Sequence, residues 1–542
     1  MSVAVLSPSL PTAIPSYASI PPHFTSTDHV QRCLEQLRSK PEGLEQYIFL
    51  SSLKERDPTL FYRILLANMM EIIPILYTPT VGDACSNYSH IWRHPEGLYV
   101  SIEHKGRIRD VLRSYPVGSN ARIAVVTDGS RILGLGDLGA NGLPISIGKL
   151  DLYVAGAGIR PYSTLPLCLD VGTNTKKFLE DPLYIGVRQK RPDDKEMDEF
   201  MEELMSAMSE VFPELVIQFE DFSTDNAFKY LDVFRSRYRV FNDDIQGTGA
   251  VVLSGFLNAA RLSSAASGLP LTEHRILFFG AGSSGIGVAK QLLSFFTHMG
   301  MSVEEAKKHI YTVDSKGLIT ADRTGLQEHK KFFARTDYQG PPLTNLADIV
   351  RYVNPTALLG LSTIGGAFSE EVVKLMAAKN KRPIIFPLSN PVSKCEVTFE
   401  DAIKWTKGRV VFASGSPYKP VTYEHTTYEA GQGNNMYMFP GIGLGAILSK
   451  AKHVTDGMVE KAAFALSTSL NEEEKNRELV YPRLDRIREI SAQVALAVAR
   501  EAQKDGVDNN LVLRSLDDGE ALKYIKGKMW EPCYDATKLG RL

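Results

Sequence analysis

Arg275-Ile-Leu-Phe-Phe-Gly-Ala-Gly-Ser-Ser-Gly285 is a compact apolar run that closes in a G-x-G-x-x-G turn. A helical pattern follows at once, with Ile286, Ala289, Leu292, Leu293 and Phe296 on one face. Strand, glycine turn and helix in that order are what phosphate binding needs. The glycines let the backbone approach a pyrophosphate, and the free N–H groups of the helix start favour an anion. Gly280, Gly282 and Gly285 are therefore candidate dinucleotide contacts. The next apolar run, His309 to Asp314, ends in an acid somewhat beyond the usual spacing of about 20 residues, where it can accept ribose hydroxyls.

Outward from this segment, strand-like runs at 357–361, 383–387 and 410–413 alternate with helical stretches at 369–378 and 399–406. Such alternation predicts an α/β fold with a Rossmann-like, doubly wound parallel sheet. A second glycine match, Gly134-Leu-Gly-Asp-Leu-Gly139, lacks the following helix and reads as a turn at a different site. Just before it, Ala121 to Val126 and Arg131 to Leu135 flank Asp128-Gly129, a pattern that predicts a β-hairpin.

Two acidic segments stand out, Phe219-Glu-Asp-Phe222 and Phe241-Asn-Asp-Asp-Ile-Gln-Gly-Thr248. Carboxylates set among apolar residues are tolerated when paired, protonated or bound to a cation. On residue types alone these segments are either Asp-rich capping loops or ligands of a hard divalent metal.

The remaining chain reads as helix at both ends. From Asp28 to Met70 apolar residues recur at helical spacing, and the last of these helices is expected to stop at Pro74. Residues beyond Pro440 are helical again, with an amphipathic stretch at 483–504 and a polar end. The expected organisation is an N-terminal arm and helical domain (1–95), an α/β substrate domain (96–242 and 435–505), a coenzyme domain (243–434) and a tail (506–542).

A net charge of −2 with a pI near 6.6 provides no field for nucleic acid or an anionic membrane. No apolar run is long enough to span a bilayer. The 5 cysteines are scattered and read as free thiols. Residues 1–31 contain neither Lys nor Arg, unlike a mitochondrial presequence, so the chain is expected to be cytoplasmic.

Several ordered segments resemble the malic enzymes. They are Tyr77-Thr-Pro-Thr-Val-Gly82, Val126 to Gly139, Gly148-Lys-Leu150, Phe219 to Phe222, Asn242 to Thr248, Leu388-Ser-Asn-Pro391 and Gly431-Gln-Gly-Asn-Asn435. The resemblance runs from about Leu44 to about Tyr534. It implies oxidative decarboxylation of malate, with Mg²⁺ or Mn²⁺ held by Glu220, Asp221 and Asp244. It also implies Lys149 as base, Tyr77 as acid, and Asp243 in a supporting or catalytic part. Lys149 sits in the apolar stretch Ile145 to Leu150, read as a strand, and burial together with the nearby metal is expected to lower its pKa toward neutrality. Arg131 becomes the clamp on a malate carboxylate, and Asn390, Asn434 and Asn435 become contacts to substrate and nicotinamide ribose. For the coenzyme, Asp314 alone suits NAD, whereas Ser315, Lys316 and Lys331 suit the 2′-phosphate of NADP. NADP is expected to be preferred, with NAD as a second coenzyme. Family members form dimers or tetramers, and the expectation is a homodimer or homotetramer.

Arg32 and Arg56 read as surface arginines on helices or, by the resemblance, as part of a fumarate effector site. Two other readings stay open. A malolactic enzyme would release lactate without net coenzyme reduction, and a catalytically silent relative would show no turnover.

Overall fold

The computed structural model describes residues 26–116, 120–390 and 392–532. Most of the expected N-terminal arm, Pro391 and the thiol at Cys533 lie outside them. The first described part is helical, with helices at Ser26–Arg38, Leu44–Arg56, Pro58–Ala67 and Met69–Leu76. Pro58 starts the third because a first-turn residue needs no donor, and Asp57 caps it by accepting from Leu60 N at 2.9 Å. Pro74 does not end the fourth helix as expected. It sits inside it, and the helix still closes on Tyr77 N donating to Ile73 O at 2.8 Å. One missing N–H costs one bond, and the buried neighbours Ile72, Ile73, Ile75 and Leu76 hold the turn together.

Five strands follow: β1 (Leu98–Ser101), β2 (Ile123–Thr127), β3 (Thr164–Asp170), β4 (Val216–Phe219) and β5 (Val240–Asn242). They form a parallel sheet in the order β1-β3-β2-β4-β5. The hairpin expected at Asp128-Gly129 is therefore corrected. β2 is paired on both edges by parallel strands, so no edge is left for 131–135, which is a loop with one bridge from Ile132 to Gly136. Along β2 the side chains alternate between two cores: Ile123 and Val125 join the larger one, Ala124 and Val126 the other. Burial on both faces is what makes these strands continuous apolar runs.

A second sheet holds β6 (Ile276–Phe279), β7 (Ile310–Asp314), β8 (Gly317–Leu318), β9 (Ala357–Gly360), β10 (Ile384–Pro387) and β11 (Val411–Ser414). The exposed hairpin β12 (Val421–Tyr423) and β13 (Thr426–Tyr428) precedes its last strand, β14 (Gly431–Gln432). The order is β14-β11-β10-β9-β6-β7-β8, parallel apart from the β7–β8 pair. Helices Ser283–Thr297, Glu370–Lys379 and Phe399–Thr406 alternate with its strands. This is the doubly wound sheet read from the sequence.

The helix Thr248–Ser267 links the two sheets. Phe439–Ser449 and Ile487–Lys504 pack against each other, and Leu511–Ser515 and Asp518–Lys528 give the polar C-terminal part helices of its own. No single helix among the described residues is long and apolar enough to cross a membrane.

Candidate active site

Parallel pairing gathers the polar residues. β4 and β5 run side by side with Phe219 opposite Asn242, so Glu220-Asp221 and Asp243-Asp244 emerge as neighbours at the carboxyl ends of the strands. One ligand atom each of Glu220, Asp221 and Asp244 lies within 4.8 Å of the others. Glu220 and Asp221 are buried, and burial pushes all three carboxyls up, with the neighbouring acids adding to the shift. A buried set of mutually repelling oxygen ligands fits a hard divalent cation, which would hold them ionised.

Asp221 has a left-handed backbone, φ 55°. That strain turns its carboxylate to accept from Leu133 N at 2.9 Å while its own N–H donates to Asp244 Oδ2 at 2.8 Å.

Lys149 was expected on a strand; it lies on the buried helix Leu143–Ala157. The apolar spacing around it reflects burial on every side of that helix rather than a pleat. Gly148 lets the helix approach the preceding helical segment: a Cβ there would come within 2.6 Å of Leu76 O. That close approach brings Tyr77 over Lys149, whose Nζ is 5.2 Å from the ring centroid. Lys149 Nζ lies 2.5 Å from Asp243 Oδ2 and 2.9 Å from Glu220 Oε1.

Burial was expected to bring this lysine down toward neutrality. Burial does oppose its charge, but Asp243 and Glu220 outweigh it and hold the ammonium well above its ordinary range. Burial also raises the Tyr77 phenol, with Lys149 pulling the other way. Asn435 Nδ2 donates to Asp243 Oδ2 at 2.9 Å and to Thr248 Oγ1 at 2.8 Å.

Glu220 is held in turn by side chains that sequence spacing did not single out. Gln218 Nε2 donates to Glu220 Oε2 at 2.7 Å, and Tyr153 OH donates to Gln218 Oε1 at 2.5 Å. A Gln inside the otherwise apolar β4 is the signal that pointed to them.

Tyr77, Arg131, Glu220, Asp221, Asp244, Gly282, Gly285, Asn390, Asn434 and Asn435 share one cavity of about 180 Å³. Arg131 Nη1 crosses it, donating to Thr224 Oγ1 at 2.6 Å and to Ser283 Oγ at 3.2 Å, the latter in the first turn of the glycine-loop helix. Gly280 has φ 119°, and a Cβ on it would lie 2.3 Å from Leu361 O, so this turn admits only glycine. The turn and the open helix start fit a dinucleotide. The Gly134 to Gly139 loop was expected to lack a following helix, but it runs through a 3-10 turn at Gly139–Gly142 into the helix Leu143–Ala157, and Leu133 and Gly134 line the same cavity rather than a separate site.

At the far end of β7, Asp314 accepts two bonds of 2.9 Å from Arg323 Nη2, one of 3.1 Å from Lys330 Nζ and one of 2.9 Å from Lys316 N. Burial works to raise its carboxyl, but these donors outweigh it and hold it below its ordinary value. Lys331 points elsewhere and pairs at the surface with Glu328 at 2.6 Å. Ser315 follows Asp314 directly. Arg323 and Lys330 were not read from the sequence. Arg56 donates to Ser52 O at 3.1 Å on its own helix.

Comparison with known proteins follows this division. Residues 54–235 match a family model described as malic enzyme, N-terminal domain, and residues 245–503 match malic enzyme, NAD binding domain. The NADP-dependent malic enzyme of Dictyostelium discoideum is 48% identical over 521 residues, 96% of this chain and 94% of that protein. NADP-dependent malic enzyme 1 of Arabidopsis thaliana is 44% identical over 507 residues, 93% of this chain and 85% of that protein. The crystal structure of Entamoeba histolytica malic enzyme superposes with a TM-score of 0.58 at 25% identity, covering 93% of this chain and 89% of that one.

Proposed function

The chain belongs to the malic enzyme family, and from that membership we propose that it converts (S)-malate to pyruvate and CO₂ while reducing NADP. One observation carries the proposal: three carboxylates, two buried and one half-buried, cluster at a cavity that also holds the glycine turn, with Lys149 and Tyr77 beside them.

Glu220, Asp221 and Asp244 would hold Mg²⁺ or Mn²⁺. When bound, such an ion supplies Lewis acidity at the C2 oxygen, and the nicotinamide supplies the hydride acceptor. Arg131, a planar two-donor group, would grip a malate carboxylate. Asp243 and Asn435 fix the position of Lys149. Glu220, once it holds a cation, would no longer offer its charge to the ammonium, which eases loss of the Lys149 proton, and the neutral amine so formed accepts the C2 hydroxyl proton. Once the C2 hydride has left and CO₂ has departed from the β-keto acid, Tyr77 returns a proton to C3. Lys149 and Tyr77 are close enough to titrate as a pair. Asn390 and Asn434 stand on the nicotinamide side.

NADP is favoured because Arg323 and Lys330 cancel the charge of Asp314, which would otherwise repel a 2′-phosphate, and add cationic donors there. NAD is the second coenzyme. The same reading makes the protein a cytoplasmic homodimer or homotetramer, which sedimentation of the purified chain and imaging of a tagged one would test.

The decisive assay incubates malate with Mn²⁺ and either coenzyme, with and without EDTA, following pyruvate, lactate and NADPH. Equimolar pyruvate and NADPH, abolished by EDTA, is the expected result. Lactate without net NADPH would overturn it.

A further inference from the structure

Glu396 is fully buried in the segment after β10, and no Lys, Arg or His among the described residues forms an ion pair with it. A carboxylate in that position survives only on hydrogen-bond donors. Its Oε1 accepts from Ser362 N at 3.0 Å, Ser362 Oγ at 2.9 Å and Ser389 Oγ at 2.6 Å, and Oε2 accepts from Ser389 N at 3.5 Å. Room for it is made by Gly360 at the end of β9, where a Cβ would come within 2.4 Å of the Glu396 carboxyl carbon.

Each serine passes the restraint on. Ser389 Oγ, while donating to Glu396, accepts from Thr363 N at 2.9 Å, and Ser362 Oγ accepts from Ile364 N at 3.1 Å. Thr363 has a left-handed backbone, φ 59°, a conformation that a β-branched residue keeps only when its surroundings impose it. Ser389 is followed by Asn390, whose Oδ1 accepts from Ser416 Oγ at 2.5 Å. Thr363, Ser389 and Asn390 all line the cavity.

These two loops also meet the other half of the cleft. A Cβ on Gly134 would lie 3.6 Å from Asn390 O and 4.0 Å from Thr363 Cγ2. Gly134 belongs to the loop that carries Arg131 and Leu133.

We infer that Glu396 is a positioning residue for coenzyme binding. It ties the loop after β9 to the loop after β10 through Ser362 and Ser389, sets the strained Thr363 turn and Asn390, and thereby shapes the nicotinamide side of the cavity where it abuts Gly134. This rests on the reading of the cavity as a dinucleotide site. The metal ligands stand on the other sheet and do not depend on it.

The test measures NADPH binding by fluorescence, without malate, for wild type, Glu396→Ala, Glu396→Gln and Ser389→Ala, beside Mn²⁺ affinity by electron paramagnetic resonance and thermal unfolding. Glu396→Ala should weaken NADPH binding about tenfold or more, in the range found when a supporting partner of a ligand contact is removed. Ser389→Ala should weaken it several-fold, roughly the loss of one charge-assisted bond. Glu396→Gln, which keeps an acceptor oxygen for both serines, should recover most of the affinity. Mn²⁺ affinity should stay at the wild-type value throughout.

A merely structural role would lower the unfolding temperature and leave NADPH affinity unchanged, and that result overturns the inference. If Glu396→Ala does not fold, Ser389→Ala decides, with wild-type affinity counting against. If wild type itself fails to bind NADPH, the reading of the cavity falls first and this inference falls with it.

Discussion

Lys149 and Lys54 are both shielded lysines held by two carboxylates, and one helix connects them, carrying Lys149 itself and a partner of Lys54. Lys149 lies on Leu143–Ala157 and pairs with Asp243 and Glu220. Lys54 reaches Asp151 on that same helix at 2.6 Å and Glu96 at 2.6 Å. In both, burial opposes the charge and the acids outweigh it, so both ammonium groups stand well above their ordinary range. Cavity size does not separate them. Lys54 borders a pocket of about 610 Å³ walled by Tyr47, Tyr62, Tyr88 and Tyr115, larger than the candidate-site cavity of about 180 Å³. What separates them is surplus acid. Around Lys149 two further carboxylates, Asp221 and Asp244, crowd against Glu220, and Asp243 Oδ1 is buried with no hydrogen-bond partner among the described residues. At Lys54 the acids are Asp151 and Glu96, and Asp151 also takes a bond from Tyr62 OH at 2.7 Å. A buried ion cluster marks chemistry when its acids exceed what its own cations and donors can hold.

The largest effect should come from removing the surplus. Asp221→Ala is expected to lower metal-dependent kcat by about 10³-fold or more, the loss of several kcal/mol of Lewis-acid stabilisation, while NADPH binding persists. Normal turnover in that variant would sink the metal assignment.

The two lysines should then part company. Lys149→Met should cost about 10²-fold or more in kcat, as expected for a proton-transfer group, and Mn²⁺ should restore its thermal stability by neutralising the acids left behind. Lys54→Met should instead lower stability by about 3 kcal/mol, the low end for a broken buried pair; the lysine keeps 19% side-chain exposure. Its folded fraction should turn over normally, and Mn²⁺ should not rescue it. Equal rescue of both variants in a thermal-shift titration would erase the distinction.

A smaller effect separates Lys330 from Lys331. Lys330→Ala should raise the KM for NADP about tenfold, the equivalent of about 1.4 kcal/mol, with little change for NAD. Lys331→Gln should leave the NADP/NAD ratio of kcat/KM unchanged, because an exposed pair such as Lys331–Glu328 is worth about 1 kcal/mol or less. The reverse pattern would return the specificity role to Lys331.

The smallest effect concerns pH. Lys54 has a raised pKa in the folded chain, so its stabilisation is fully present below the unfolded value of about 10.4 and is lost only as pH rises through the folded value. The stability gap between wild type and Lys54→Met should be flat from about pH 6 to pH 9 and narrow above about pH 10.4. A gap that closes below pH 9 in urea titrations would contradict the pairing.

Much of this was legible beforehand. The coenzyme sheet could be read because its strands, buried on both faces, are uninterrupted apolar runs punctuated by a glycine turn. The 131–135 segment was misread as a hairpin partner because a local Asp-Gly turn looks the same whether or not β2 has a free edge. Lys149 was misplaced on a strand because a helix buried on all sides has no polar stripe to reveal its period. Arg323, Lys330 and Glu396 escaped notice because charged residues near turns are ordinary in a sequence, and only their partners make them special.

The sequence by itself determined the family, the doubly wound coenzyme sheet and the acids and lysine of the site, since those are properties of residue order and local spacing. Only the tertiary structure decided that Lys149 is held charged by Asp243 and Glu220, that Asp314 is already neutralised by Arg323 and Lys330, and that Glu396 ties two loops together. Each of those depends on distances between segments far apart in the chain, and on the loss of water around them, neither of which a linear pattern contains.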